Sequence, residues 1–135
     1  STAINTTILR MRPDVLMIGE VVSREAVQYI LALNLGIVSH TTTHSQSARM
    51  ALARLENLAR QDIAVEEMRP VIGYGLGLIV HLAKDYDPET RTYRRYMKEI
   101  LAVDGYEHGH YILNPLKEWT GQGWTPLRGG MERWE

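Results

Sequence analysis

The apolar positions change period several times along the chain. Ile4, Ile8, Leu9 and Met11 fall at a loose helical spacing over residues 3–12. Pro13 stops that pattern, because its ring disfavours helical backbone at the residue before it. Val15 to Ile18 is an unbroken apolar run, the pattern of a strand covered on both faces, as in parallel sheets. Ser23 is placed to cap a helix from Arg24. Its apolar positions Ala26, Val27, Ile30, Leu31 and Leu33 keep the i, i+3, i+4 spacing, and Gly36 is available for a left-handed end. Ile37 to Thr43 is rich in β-branched residues and predicts a second strand. Ser45-Gln46-Ser47 then offers caps for a strongly amphipathic helix. Ala48, Met50, Ala51, Leu52, Leu55, Leu58 and Ala59 form its buried side, with Arg49, Arg54, Glu56 and Arg60 outward.

The second half reads differently. A shorter helix is predicted from Val65, with Glu66 and Glu67 in its first turn and Pro70 limiting it. Gly73, Gly75 and Gly77 loosen the chain before a strand at Leu78–Leu82. A turn around Asp87-Pro88 follows. Tyr93 to Val103 is predicted to return as the second strand of a hairpin, with Arg94, Arg95, Lys98 and Glu99 partly solvated. Gly105 and Gly109 bracket a turn into a last strand near Tyr111–Leu113. Residues 119–135, rich in Gly and Trp (Trp119, Trp124, Trp134), have no period and are predicted to be irregular or to wrap the hairpin.

The front half therefore alternates strand and helix, and the back half meanders. The predicted class is α/β, with a mostly parallel sheet and helices, followed by a small antiparallel hairpin. A length of 135 residues suffices for one core. A hydrophobic content of 44% with 23% charge fits a globular chain and argues against disorder. The net charge of −1 favours no nucleic-acid surface. No cysteine is present, so disulfides and thiolate metal sites are excluded. No apolar run approaches the roughly 20 residues that span a bilayer. The first residues, Ser1-Thr2-Ala3-Ile4, lack an initiator Met and a signal-peptide pattern, as expected of a start within a longer protein, although removal of an initiator Met before Ser leaves the same end.

The candidate chemistry sits at strand ends. Glu20 is the first ionisable residue after the Val15–Ile18 run and Gly19, and ligands of open α/β sheets bind beyond the carboxyl ends of their strands. A carboxylate there can orient a water or take its proton. An N-terminal acid complementing the next helix dipole is the plainer alternative. His40 and His44 are four apart, a metal-pair spacing on a helix. The intervening threonines favour extended chain, which separates them by about 13 Å. Glu107, His108 and His110 lie in a predicted turn, and His81 reads as a packed or edge histidine.

Taken in order, Leu9-Arg10-Met11-Arg12-Pro13-Asp14, the four-residue apolar strand and Gly19-Glu20 resemble the Walker B region of the type II/type IV secretion ATPases. Ala32-Leu33-Asn34-Leu35-Gly36 is similar to the end of the next helix in that family. Thr41-Thr42-Thr43-His44-Ser45 resembles its His box, and Ala51 to Leu58 the helix behind it. Arg94-Arg95 with Glu99-Ile100 resembles its C-terminal hairpin. The likeness spans roughly residues 4–118. It implies the C-terminal half of a RecA-like ATPase core over 1–118, with 119–135 as a tail. Glu20 would be the catalytic glutamate and His44 the γ-phosphate sensor, with Thr42 beside it. Arg10 and Arg12 would approach phosphate in the same or a neighbouring protomer. Ile37 stands where the family usually has a histidine, and Val22 where it often has an arginine.

The resemblance further implies ATP with Mg²⁺ held through the nucleotide, a hexamer, and an inner-membrane secretion or pilus platform as partner. It implies no direct nucleic-acid contact, and a cytoplasmic place beside the inner membrane. A phosphate cradle needs Gly-x-x-x-x-Gly-Lys-Ser/Thr, and no such segment occurs in the 135 residues; Gly73-Tyr74-Gly75-Leu76-Gly77 lacks the Lys. The chain by itself is thus expected to be inactive and to leave an apolar strand edge open. A non-catalytic RecA-like interaction module is the alternative, and a histidine-based metal hydrolase a third reading.

Overall fold

The computed structural model describes residues 10–126. The helical spacing over residues 3–12 and Trp134 lie largely or wholly outside these residues. The elements run β1 (Val15–Ile18), α1 (Glu25–Asn34), β2 (Val38–Thr41), α2 (Ala48–Ala59), α3 (Val65–Gly75), β3 (Leu78–Asp87), β4 (Thr92–Glu107) and β5 (His110–Glu118). β1 and β2 pair in parallel, from Val15 opposite Val38 to Ile18 opposite Thr41. β3, β4 and β5 form a separate antiparallel sheet in that order.

The class is mixed α/β, but the expectation of a mostly parallel sheet is corrected. Among the described residues the parallel part has two strands and the antiparallel part three, not a small hairpin. Parallel strands need a long crossover for each pairing, and these residues contain one such unit, β1–α1–β2. The expected two-sided burial of β1 is corrected for the same reason. Its exposure alternates, with Val15 49% and Met17 77% exposed, and Val38 of β2 57% exposed. α1 covers one face of this small sheet and leaves the other open.

α1 packs against both parallel strands and against α2 and α3. It therefore buries Gln28, Tyr29 and Ala32 as well as the predicted Ala26, Ile30 and Leu33. Its start differs from the prediction. Ser23 caps nothing with its hydroxyl; instead the Ser23 N–H donates to the Glu25 carboxylate at 2.9 Å. That bond, with the backbone amide of Glu25 itself the larger cause, holds the Glu25 carboxyl below its usual range. The end is as predicted. Gly36 N–H donates to Leu33 O and Ile37 N–H to Ala32 O, at 3.0 and 3.1 Å, with Gly36 at φ 74°. This pair of bonds is the Schellman arrangement that only a left-handed residue closes cheaply.

α2 begins as expected, with the Ser47 hydroxyl accepting from Met50 N–H at 3.1 Å. Its buried line is Ala48, Leu52, Leu55 and Ala59. At about 100° per residue, Met50 falls on the opposite side of that line and is 52% exposed. Glu56 lies only about 80° from it, and its side chain is 14% exposed rather than outward. There its carboxylate accepts from Tyr111 OH at 2.6 Å and from Arg69 at 3.0 and 3.3 Å, joining α2, α3 and β5. Burial, then the bond to Glu56, pushes the Tyr111 phenol well up.

α3 runs through Pro70 to Gly75, where termination at the proline was predicted. Tertiary packing outweighs the lost hydrogen bond, because Met68 and Ile72, on either side of Pro70, are wholly buried. Gly73 is a contact residue and not a loosener. A Cβ there would stand 2.7 Å from the Tyr106 Cβ and 2.8 Å from the Gly105 backbone, so helix and sheet touch backbone to backbone.

The antiparallel strands are longer than predicted. β3 continues past Leu82 because its outer end is solvated on both faces and so carries no apolar period. Cross-strand contacts hold that end: Tyr86 against Tyr93, Lys84 over the Tyr93 ring at 4.1 Å, and Tyr96 OH on Asp85 at 2.7 Å. β4 and β5 join through His108-Gly109, both at positive φ, a two-residue turn matched to strand twist. Beyond β5, Trp119 pairs with Trp124 and their rings meet edge to face at 5.3 Å. Arg94 lies over the Trp119 ring at 6.0 Å.

Tyr111→Phe is expected to cost about 1–2 kcal/mol in urea unfolding, and Glu56→Ala about 2–3 kcal/mol, because it strands two donors. Tyr111 ionises at higher pH folded than unfolded, so its contribution is whole below the ordinary phenol range near pH 10 and is lost as pH rises above it. The alkaline fall in unfolding free energy is therefore expected to flatten in Tyr111→Phe. Gly73→Ala is expected to destabilise by about 1–3 kcal/mol through overpacking. Gly77→Ala, with nothing within 4 Å of its added carbon, is expected to change little.

Candidate active site at the carboxyl ends of the parallel strands

The register of the parallel pair brings both chain segments out at one level, since Ile18 is opposite Thr41. Three bonds continue the pairing past the strand ends. Thr42 Oγ1 donates to Gly19 O at 2.7 Å, Val21 N–H to Thr42 O at 2.8 Å, and Thr43 Oγ1 to Val21 O at 3.2 Å. Val21 is 1% exposed and is held in the core among α1 and α2 residues. Burying Val21 turns the preceding residue, Glu20, toward solvent.

The result is a contact between two side chains 24 positions apart. His44 Nε2 lies 3.1 Å from Glu20 Oε1, with side chains 90% and 44% exposed. An ion pair this open is worth about 0–1 kcal/mol. It is a weak resting contact between two groups that can each turn to a ligand.

The Thr42 hydroxyl proton, expected beside His44 at a phosphate, is committed to Gly19 O. In this structure it fastens one loop to the other. Arg10 and Arg12 precede β1, whereas Glu20 follows it. A four-residue strand spans about 13 Å, so neither arginine joins the Glu20–His44 contact. Arg12 has φ 45°, the bend that turns the chain before Pro13.

Two neighbours of the loop carried no sequence signal. Arg54, predicted outward, donates from Nε to Thr43 Oγ1 at 3.1 Å. Glu99, predicted partly solvated on β4, accepts from Ala48 N–H at 2.7 Å. Residues from distant elements supply both contacts, and local spacing cannot register them. His81 is packed on edge strand β3 as predicted, its side chain 13% exposed. Its Nδ1 is 3.7 Å from Glu99 Oε1, a charge contact longer than a hydrogen bond.

A cavity of about 440 Å³ opens beside His44, bounded by the 41–45 segment, the start of α2 and the free edge of β3; Tyr29, Ser47, Leu78 and His81 are among its walls. Among the described residues no three His, Asp or Glu side chains converge as a metal site. The single carboxylate of Glu20 fits a place beside a nucleotide-borne Mg²⁺ better than a site that holds the ion itself. Among the described residues no helix is long and apolar enough to cross a membrane.

A family model described as type II/IV secretion system protein matches residues 2–111. The conjugal transfer protein TrbB of Rhizobium radiobacter is 35% identical over 104 residues, covering 76% of this chain and 30% of that protein. A probable conjugal transfer protein TrbB of Sinorhizobium fredii is 34% identical over 107 residues, covering 78% of this chain and again 30% of the relative. An uncharacterized protein of Rickettsia conorii is 31% identical over 58 residues, 42% of this chain and 55% of its own length. The chain thus spans less than a third of the two conjugal transfer proteins. With the match extending through β1, β2 and their connecting loops, the chain belongs to the type II/IV secretion system protein family.

Proposed function

We propose that this chain is the water-activating and phosphate-sensing part of an ATP-hydrolysing motor in a type II/type IV secretion, pilus or conjugation system. The observation that carries the reading is the 3.1 Å contact between Glu20 and His44 at the ends of paired parallel strands. The family match and the two relatives named for conjugal transfer support it.

Phosphoryl transfer asks the protein mainly for positioning and charge stabilisation. In this reading Glu20 accepts a hydrogen bond from the attacking water and aligns it on the γ-phosphorus. His44, released from Glu20, donates its Nε2–H to a γ-phosphate oxygen. The contact between them is weak enough to exchange for those partners. Thr42 keeps the two loops in register through Gly19 rather than touching phosphate itself. Arg10 and Arg12, at the other end of β1, suit a phosphate bound by a neighbouring protomer. Mg²⁺ bound together with the nucleotide would supply neutralisation of its phosphate charge.

The phosphate cradle belongs to a further part of a longer protein, which would complete a RecA-like core in a hexamer. That assembly would sit at the cytoplasmic side of the inner membrane, against a secretion or pilus platform. The exposed apolar face of the parallel pair (Val15, Met17, Val38) is in keeping with a chain covered by more protein. A non-catalytic RecA-like interaction module is the second reading.

Nucleotide binding and turnover by a form extended upstream to include any phosphate-binding loop separates the two. In that form Glu20→Gln is expected to leave ATP affinity within about twofold and to lower kcat by about 10²-fold or more, the scale of a lost general base. Turnover unchanged by Glu20→Gln, or an extended form that binds no ATP, overturns the catalytic assignment. In the 135-residue chain both Glu20→Gln and His44→Ala are expected to shift unfolding free energy by less than about 0.5 kcal/mol, as for any exposed pair.

A further inference from the structure

We propose that Glu99, on β4 of the antiparallel sheet, is a positioning residue for His44: it clamps the start of α2 and so fixes the loop that presents the imidazole to Glu20. The proposal rests on the reading of His44 as a functional group, but its geometry stands apart from any turnover.

The segment from Thr43 to Ala48 is a short bridge on which His44 is exposed. Its front is fixed by Thr43, whose hydroxyl donates to Val21 O and accepts from Arg54 Nε. Its back is the first turn of α2. The first N–H groups of a helix have no partner within it. Here Ser47 answers for Met50 N–H, which leaves, beside that of Arg49, the N–H of Ala48, the first helical residue. Glu99 Oε1 accepts that hydrogen at 2.7 Å, from 51 positions away.

The choice of a carboxylate has a physical reason. α2 has no acidic residue in its first turn, so nothing local complements the positive end of its dipole. Glu99 supplies that charge from another sheet, and a charge-assisted bond is about twice as strong as a neutral one. Its side chain is 20% exposed, and His81 Nδ1 faces the same oxygen at 3.7 Å. The carboxylate is thus held between helix start and sheet and cannot swing freely to solvent. Ser45 Oγ donates to Ser47 O at 2.9 Å and stiffens the stretch between. With Thr43 fastened at one end and Ala48 at the other, the backbone that carries His44 has few positions available. Removing the clamp lets the back end lift, and the Glu20–His44 contact, weak on its own, loosens with it.

Nuclear magnetic resonance on the 135-residue chain tests this without nucleotide. In the unmutated protein the Ala48 amide is expected to exchange with solvent about tenfold slower than an open amide, the equivalent of one hydrogen bond. Exchange at the open rate overturns the clamp outright, with no variant needed. Glu99→Ala is expected to remove that protection, while Glu99→Gln, which keeps an acceptor at the same reach, restores most of it.

The decisive readout is the change in the His44 ring resonances caused by Glu20→Gln. That change is expected to shrink at least about twofold in the Glu99→Ala background and to persist in the Glu99→Gln background, since coupled sites are not additive. Equal responses in all backgrounds overturn the positioning role. If Glu99→Ala fails to fold, Glu99→Asp, one methylene short of the Ala48 N–H, takes its place: a response shrunk about twofold supports the positioning role, and an unchanged response overturns it. Should the extended form show turnover indifferent to Glu20, the catalytic reading falls while these resonances stand or fall by themselves.

Discussion

The site depends on one register. β1 and β2 are parallel and of equal length, with Ile18 opposite Thr41. Two segments with no local relation therefore leave the sheet side by side, and the Thr42–Gly19 and Val21–Thr42 bonds carry the pairing a step further. Side chains alternate faces along a strand, so a slip of one residue would turn Glu20 and His44 away from each other. The burial of Val21 at 1% exposure makes that slip costly, because it would bring a core residue into water.

Around that register the structure is tied by polar side chains that reach between elements. Glu56 joins α2, α3 and β5 through Arg69 and Tyr111. Glu99 joins β4 to the start of α2, and Arg54 joins the body of α2 to Thr43. A two-stranded parallel sheet open on one face cannot hold its loops by burial alone. These charge-assisted bonds place the site loop relative to a second, larger sheet. The close approach at Gly73 ties the same sheet to α3 by backbone contact.

The division between the two sheets explains where the hydrophobic pattern misleads. Val15 to Ile18 is apolar throughout, as for an interior strand, yet Met17 is 77% exposed because no helix lies on that face among the described residues. Conversely, the outer halves of β3 and β4 are true strands with no apolar face. They are held by ring contacts and a tyrosine–aspartate bond, which leave no period in the sequence. Pro70 sits inside α3 because the packing of Met68 and Ile72 outweighs a missing backbone bond.

The sequence by itself determined what local chemistry controls. Only the family resemblance singled out His44; local pattern set the order of strand and helix in the front half, the Gly36 helix end, the Ser47 cap and Glu20 as the first ionisable group beyond a strand end. These follow from spacing, φ requirements and short-range hydrogen bonds, which neighbours in the chain decide. The tertiary structure alone decided that Glu20 meets His44, that Glu56 turns inward, that Gly73 is a contact, and that Glu99 serves a helix 51 positions away. Each of these depends on which distant element fills the space beside a residue, and a side chain's reach across that space leaves no mark on its neighbours in the chain.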